Sequence, residues 1–165
     1  MCPVEPWRIG VDLGGTKIEA ALLDGAGRIV RRRRRATPRG DYRATLAALV
    51  DLVGSLRAGL DRPTTVGVCG PGAVSPATGR IKNANSVWLN GMPLREDLER
   101  ELGHGVRLAN DADCFALSEA VDGAARGAGT VFGVIVGTGV GGGVVVGGRL
   151  IRGPNAIAGE WGHNP

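Results

Sequence analysis

Two glycine-rich turns, each lying between apolar strand patterns, constrain the fold of this chain most strongly. The first lies in GVDLGGTKIEAALLD, residues 10–24, where Gly14-Gly15 separates two apolar runs. A Gly-Gly pair in that setting is typical of a β-hairpin. The same turn carries an acid, a hydroxyl and a cation at Asp12, Thr16 and Lys17. The sequence therefore predicts either an ordinary hairpin or a hairpin that binds phosphate.

The chemistry of this first turn suits a phosphate. Glycines let backbone N–H groups approach an anion closely, Thr16 adds a hydroxyl donor and Lys17 adds a positive charge. Asp12, at the end of the preceding strand, is placed to hold Mg²⁺ directly or through water. The turn is not a Walker loop, because the GxxxxGK[ST] spacing is absent and a strand pattern follows where a helix is required.

The second turn is GTGVGGG, residues 137–143. Gly137, Gly139 and Gly142 satisfy the GxGxxG spacing of dinucleotide-binding proteins, which also requires a helix to begin at the third glycine. The β-branched run VVVGGRLIRG follows instead and favours a strand. We therefore interpret this turn as a second phosphate-binding hairpin.

The order of the predicted elements indicates an α/β fold. Three strands come first, at Trp7–Leu13, Ile18–Asp24 and Arg28–Arg34, and Asp41 is placed to cap the helix that follows. After a short strand, TTVGVCG, and a predicted loop at Ala73–Pro93, a helix, a strand, a helix and two strands complete the pattern. This order predicts a mixed sheet flanked by helices.

The segment LANDADCFALSEA contains a candidate general base. Asn110 is suited to cap a helix, Asp113 to close a capping box with it, and Asp111 to lie in the first turn. In isolation the pattern slightly favours three residues that only begin the helix. Alternatively, Asp111 is a base at the carboxyl end of a strand, where open α/β sheets bind ligands.

The segment GEWGHNP carries Glu160 and His163 three positions apart, so that one helical turn would point both side chains the same way. Such a pair alone is weak evidence for a metal site. Trp161 between them is interpreted as a packing residue.

Charge and cysteine content narrow the function classes. The net charge is +4, and Arg31–Arg35 supplies five of the twenty cationic residues. We interpret this run as a solvated strand end rather than a nucleic-acid site. Cys2, Cys69 and Cys114 form neither a disulfide framework nor a zinc knuckle. Without an apolar stretch of about 18 residues or a signal-peptide core, a cytoplasmic protein without membrane contact is expected.

Together these segments resemble the ROK sugar kinases of the actin-like ATPase superfamily, over about Arg8 to Pro165. DLGGTK resembles the first phosphate motif of that family, GTGVGGG the second, NDAD the catalytic-base motif and AGEWGHNP the sugar-binding motif. KNANSVWLNGMPL and GEWGHNP are most similar to the bacterial fructokinase (manno-fructokinase) branch. The resemblance implies an actin-like (ribonuclease H-like) α/β fold.

The resemblance also implies a reaction and its residues. An ATP- and Mg²⁺-dependent kinase would transfer the γ-phosphate to the 6-hydroxyl of a hexose, with fructose the expected substrate. Asp111 would be the general base and Asp12 would organise Mg²⁺. The sugar would be bound by Gly72, Asn85, Asn110, Glu160 and His163, and the ATP phosphates by Gly14, Gly15, Thr16, Lys17, Gly137, Thr138 and Gly139.

The chain departs from the family pattern in two respects. The family usually has Asn where this chain has Asp113, which either raises the pKa of Asp111 or caps the helix; we favour capping. Family members run to about twice this length, so residues 1–123 would form the first domain and residues 124–165 the start of an incomplete second one. His163 resembles a zinc ligand whose cysteine partners would follow downstream, and a homodimer is compatible with the family.

Two alternatives to an active kinase stay open. The chain by itself would be a fragment that binds sugar without turnover. A sugar-sensing repressor of the same family is less favoured, because only six residues precede Trp7 and cannot form a DNA-binding helix-turn-helix.

Overall fold

The computed structural model describes residues 6–137 and 140–162. The strands are β1 (Trp7–Leu13), β2 (Lys17–Leu23), β3 (Ile29–Ala36), β4 (Thr64–Gly70), β5 (Ala73–Val74), β6 (Ile81–Lys82), β7 (Val106–Asn110), β8 (Thr130–Val136), β9 (Val140–Val146) and β10 (Arg149–Ile151). The helices are α1 (Tyr42–Arg57), α2 (Leu94–Leu102) and α3 (Asp111–Val121), with a 3₁₀ turn at Val87–Leu89.

A mixed five-stranded sheet in the order β3-β2-β1-β4-β7 forms the larger layer, as predicted. The pairs β1/β2 and β2/β3 are antiparallel, whereas β1/β4 and β4/β7 are parallel. Because β1, β4 and β7 run the same way, their carboxyl ends meet at one edge of the sheet. The predicted site residues at this edge are Asp12, Gly14, Gly15, Thr16, Lys17, Gly72, Asn110 and Asp111.

The main core lies between one face of this sheet and the helices α1 and α2. Alternate residues of β1 and β2 point into it, and the apolar stripe of α1 covers them. The side chain of Asp41 caps α1 by accepting a hydrogen bond from the Ala44 N–H at 2.9 Å, as predicted. Gly103 ends α2 in the left-handed conformation, also as predicted.

One polar contact connects α1 and α2 within this core. The Tyr42 hydroxyl donates to Asp97, and Arg100 donates to the same carboxylate at 2.5 Å. Asp97 is buried, so these donors replace the water that the carboxylate loses on folding. The hydrogen bond from Tyr42, followed by the one from Arg100, holds the pKa of Asp97 below its usual range.

Tyr42→Phe is therefore expected to lower the free energy of unfolding by about 1–3 kcal/mol, because it leaves a buried carboxylate short of one donor. Since the pKa of Asp97 is lowered in the folded state, its contribution is present above the ordinary value of 3.8 and is lost as the pH falls through the lowered one. Urea unfolding at pH 7 and at pH 3 measures both effects. An equal loss at both pH values would contradict this account.

The segment predicted as a loop at Ala73–Pro93 contains more structure than expected. β5 and β6 pair into a small antiparallel ribbon, and a 3₁₀ turn follows at Val87–Leu89. The Asn90 side chain accepts from the Ala84 N–H at 2.8 Å and donates to the Ala84 carbonyl at 3.0 Å. These local amide contacts, which strand periodicity does not report, fix the backbone between β6 and the 3₁₀ turn.

The smaller layer is the antiparallel sheet β10-β9-β8, and α3 packs against β8 and β9. Close contact requires glycine here. A Cβ at Gly133 would lie 2.8 Å from the Cβ of Ala116, and one at Gly143 would lie 2.6 Å from the Ala112 carbonyl oxygen. The glycines of β8 and β9 therefore bring the first turns of α3 against the second sheet. The division of the chain after residue 123 stays a prediction.

The arginine run occupies the edge strand β3 and is engaged in contacts on both faces. Arg32 and Arg34 form ion pairs with Glu19 on β2, whereas Arg31 donates to the last carbonyls of α1 at Leu56 and Ala58. The interpretation of this run as a solvated strand is confirmed by these positions. Among the helices in the described part of the chain, none is long and apolar enough to cross a membrane.

Candidate functional site

The candidate site lies where β1, β4 and β7 end. Asp12 lies near the end of β1 and the Gly14-Gly15 turn follows that strand. Gly72 follows β4, and Asn110 and Asp111 lie at the junction of β7 and α3. A parallel arrangement of three strands therefore brings together residues that lie up to about 100 positions apart in the sequence. This is the edge at which open α/β sheets bind ligands.

The first glycine turn is a true hairpin. The Gly14 N–H donates to the Lys17 carbonyl at 3.0 Å, and a Cβ at position 14 would lie 2.9 Å from that carbonyl oxygen. The Thr37 hydroxyl holds the Gly14 carbonyl at 2.7 Å, and the Arg39 Nε–H donates to the Gly15 carbonyl at 3.1 Å. Residues after β3 thus hold the turn in place, and Thr16 and Lys17 are exposed beside it.

Asn110 joins three of the predicted site residues. Its side-chain oxygen caps α3 by accepting from the Ala112 and Asp113 N–H groups at 2.8 and 3.1 Å. Its side-chain nitrogen donates to the Gly72 carbonyl at 2.9 Å and lies 3.5 Å from Glu160 Oε1. A single amide therefore positions the helix that carries Asp111 and ties it to two predicted sugar-binding residues.

Asp111 is the first residue of α3, with its carboxylate 2.9 Å from the Ala112 N–H. Loss of water around the side chain raises its pKa, the nearby backbone N–H groups oppose this shift, and the negative charge of Asp12 adds to it. A carboxylate with a raised pKa is a stronger general base at neutral pH. The arrangement can therefore remove a proton from a bound hydroxyl.

Asp113 does not close the predicted capping box. Asn110 alone caps α3 through its side chain, and within residues 6–137 and 140–162 the Asp113 carboxylate makes no hydrogen bond to the Asn110 N–H. Burial raises the pKa of Asp113 to about 6, with Arg152 opposing the shift and Glu160 and Asp111 adding to it. Asn110 is the last residue of β7 and pairs with Gly70 of β4, so its backbone belongs to the sheet and the side-chain cap of α3 comes from Asn110 alone.

A cleft of about 120 Å³ opens beside these residues, lined by Gly72, Ala73, Asn83, Ile157 and Glu160. Gly72 has φ +78°, and a Cβ there would lie 2.4 Å from the Lys82 carbonyl oxygen, so only glycine fits between β4 and β6. Asn83, which the sequence analysis did not select, has φ +58° and lines the same cleft. The paired asparagines of KNAN were the only signal for it.

Several predicted residues are not joined to this cluster. Gly137 is exposed at the end of β8, and Asn85 is exposed in the loop after β6. Thr138, Gly139 and His163 lie outside the described residues. Trp161 is a packing residue, as predicted: its indole N–H donates to the Gly141 carbonyl at 3.2 Å and its ring meets Phe132 edge to face.

The thiols of Cys69 on β4 and Cys114 on α3 lie beside the site, although the sequence separates them widely. Contact with Cys114, burial and the Asp12 charge raise the pKa of the Cys69 thiol, which lies 3.8 Å from Asp12 Oδ1. Both cysteines are free. Within the described ranges, no cluster of three or more His, Cys, Asp or Glu side chains is placed to hold a metal ion.

The sequence model of the ROK family matches residues 8–165. The chain belongs to the ROK family. It is 45% identical over 154 residues to an N-acetyl-D-glucosamine kinase of Pectobacterium atrosepticum, a match that covers 93% of this chain and 51% of the relative. The chain thus spans about half the length of the curated relatives it matches.

Solved ROK structures share this fold. A glucokinase from Streptomyces griseus, crystallised with glucose and AMPPNP, superposes with a TM-score of 0.86 at 34% identity, over 96% of this chain and 50% of that protein. A ROK transcriptional regulator homologous to the E. coli MLC protein superposes with a TM-score of 0.84 at 24% identity, over 98% and 42% of the two chains. The second likeness shows the fold alone. The actin-like ATPase fold predicted from the motifs is therefore confirmed.

The relatives correct one expectation for this ROK chain. KNANSVWLNGMPL and GEWGHNP predicted the fructokinase branch, whereas the curated relatives in this comparison are kinases of N-acetyl-D-glucosamine and N-acetylgalactosamine. Short loop motifs report how sugar hydroxyls are held in general, and both fructose and the N-acetylhexosamines present such hydroxyls. The comparisons therefore establish the family but not the particular hexose.

Proposed function

We propose that the protein is an ATP-dependent kinase that phosphorylates the 6-hydroxyl of a hexose, with Asp111 as the general base. The observation that supports this most is the position of Asp111 at the junction of β7 and α3, with a raised pKa and beside the Asn110–Gly72–Glu160 cluster. In phosphoryl transfer the protein's main chemical step is to accept the proton of the attacking hydroxyl, which requires a base within reach of that hydroxyl.

The proposed ATP-binding and sugar-binding residues form two separate groups around Asp111. The Gly14-Gly15 turn would hold the ATP phosphates through backbone N–H groups, Thr16 and Lys17. Gly137, Thr138 and Gly139 would supply the second phosphate-binding turn. Gly72, Asn85, Asn110, Glu160 and His163 would bind sugar hydroxyls. Holding both substrates in line beside the base supplies most of the remaining rate enhancement.

Asp12 fits the role of the Mg²⁺ ligand. Protein sites for Mg²⁺ in phosphoryl-transfer enzymes typically use one or two carboxylates, with water and substrate phosphates completing the shell. Asp12 offers an exposed carboxylate at the end of β1, next to the first glycine turn. The ion would neutralise phosphate charge there. Zinc at His163 would need ligands from outside the described residues.

For the substrate, we favour an N-acetylhexosamine over fructose. The cleft is lined by an exposed apolar residue, Ile157, and by two polar residues, Asn83 and Glu160. An acetamido group has both a methyl group and an amide, so this lining offers it one matching contact for each. Fructose, which the loop motifs predicted, has neither group.

The test is ADP release by the product of the intact coding sequence with N-acetyl-D-glucosamine, glucose, mannose and fructose. We expect kcat/KM to be highest for N-acetyl-D-glucosamine and transfer to be absent with its 6-deoxy analogue. A preference for fructose would restore the original prediction of substrate. No ADP release above the hydrolysis background with any hexose would refute the kinase proposal.

A second candidate concerns the 165-residue chain by itself, which spans half the length of its relatives. It would bind sugar or nucleotide weakly without turnover. Calorimetric titration of this chain with ATP separates the two cases, because micromolar affinity would mean that the first glycine turn suffices for nucleotide binding. A cytoplasmic location and a homodimer remain part of the proposal.

A further inference from the structure

We propose that Ser86 donates a hydrogen bond to the γ-phosphate of ATP, from the loop that otherwise serves the sugar. The inference deepens the proposed kinase function and rests on it for the identity of the phosphate donor. It assigns a role in phosphoryl transfer to a residue that neither glycine turn contains.

The Ser86 side chain is buried and has no protein partner. It is 6% exposed and begins the 3₁₀ turn at Val87–Leu89, but its hydroxyl does not cap that turn. Across the described ranges, the Ser86 hydroxyl forms no hydrogen bond, whereas its own carbonyl accepts from the Leu89 N–H at 2.9 Å. The hydroxyl oxygen is not fully enclosed and reaches solvent, so this donor without a protein partner is open to a ligand.

The hydroxyl faces the first glycine turn. A Cβ built at Gly15 would lie 3.5 Å from Ser86 Oγ, which is ordinary contact distance. Because residue 15 is glycine, no side chain covers the hydroxyl from that side. Ser86 therefore faces the turn that would hold the ATP phosphates and directly follows Asn85, which would hold the sugar.

Local contacts hold the loop that carries Ser86 in a fixed position. The Asn90 amide holds the backbone of Ala84 through two hydrogen bonds of 2.8 and 3.0 Å, and the Leu89 side chain is fully buried behind it. A hydroxyl on such a fixed loop needs little reorganisation when charge develops on a phosphate oxygen. Preorganised donors of this kind stabilise transition states more than ground states.

The test compares Ser86→Ala with Ser118→Ala, a matched change on the exposed surface of α3, in the product of the intact coding sequence. We expect Ser86→Ala to lower kcat about tenfold, the effect of one hydrogen bond to a charged group, with the hexose KM nearly unchanged. It should also reduce the preference for a non-hydrolysable ATP analogue over ADP in equilibrium binding. Ser118→Ala should change none of these quantities.

The outcomes separate this proposal from the kinase proposal. If Ser86→Ala raises the hexose KM and leaves the ATP-analogue preference intact, or changes nothing, the phosphate role is wrong. If the wild-type protein transfers phosphate to no hexose, but Ser86→Ala still removes the analogue preference, the kinase proposal fails and the Ser86 contact stands. Ser86→Cys is nearly isosteric with wild type but is a weak donor, so its kcat should lie between those of wild type and Ser86→Ala. This variant separates the loss of the donor from a packing defect.

Discussion

Asp111→Asn should reduce kcat of the proposed kinase by about 10²–10⁴-fold, the usual contribution of a general base, while the hexose KM changes little. The amide keeps the shape of the carboxylate and can still accept a hydrogen bond from the Ala112 N–H, which the carboxylate accepts at 2.9 Å. It cannot take a proton from the sugar hydroxyl. The loss should therefore appear in the chemical step, which single-turnover ADP formation measures.

The pH dependence gives the same prediction a second readout. Removal of water from the Asp111 side chain raises its pKa above the ordinary value of 3.8, and the charge of Asp12 adds to that effect. The base is active when deprotonated, so kcat/KM in the wild type should fall as the pH drops through this raised pKa. In Asp111→Asn the residual activity should lose that acidic limb. A residual rate with an unchanged limb would mean that another group is the base.

The matched control is Asp113→Asn, two residues further along the same helical turn. The Asp113 carboxylate is assigned no role in binding or catalysis, so Asp113→Asn should retain most of the activity. Its pKa is raised to about 6, mainly by burial, so the folded state binds this proton more tightly than the unfolded state. Its stabilising effect is complete below about pH 4 and is lost as the pH rises through 6. The Asn variant should therefore melt higher than wild type at pH 7.5 and gain nothing at pH 4. A loss of activity as large as that of Asp111→Asn would contradict the assignment of the base.

The local order of elements could be predicted from the sequence, because each signal lies within a few residues of what it specifies. Asp41 begins α1, Gly103 ends α2, and the Gly14-Gly15 pair forms a hairpin, all as expected. Periodicity of apolar residues located the strands of the larger sheet, and alternation along β1 and β2 matches their buried face. The actin-like fold followed from the combination of motifs and not from any one of them.

The site contacts could not be predicted in the same way, because they depend on distances between segments far apart in the chain. Asn110 was expected to cap a helix, but its bond to the Gly72 carbonyl requires the parallel pairing of β4 and β7. Asn83 lines the cleft and has a left-handed backbone conformation that the neighbouring residues do not predict. That the Ser86 hydroxyl has no hydrogen-bond partner is likewise visible only in the three-dimensional structure.

The packing of α3 on the second sheet yields an expected effect on both stability and activity. Gly143→Ala should lower the free energy of unfolding by about 1–3 kcal/mol, the usual cost of forcing a methyl group into a filled space. The added Cβ would lie 2.6 Å from the Ala112 carbonyl oxygen and 2.9 Å from both the Ala116 Cβ and the Asp113 Cα. These are backbone and Cβ atoms, which cannot rotate away, so α3 itself must shift.

A shift of α3 moves Asp111, so Gly143→Ala should also reduce phosphoryl transfer more than its stability loss explains. Chemical denaturation measures the first effect, and ADP release well below the melting temperature measures the second. The control is Gly54→Ala in the last turn of α1, where an added Cβ has open space. Because alanine is the better helix former, that variant should gain about 0.5–1 kcal/mol and keep full activity. If both glycine variants behaved alike, close packing of α3 against β9 would not be what positions the base.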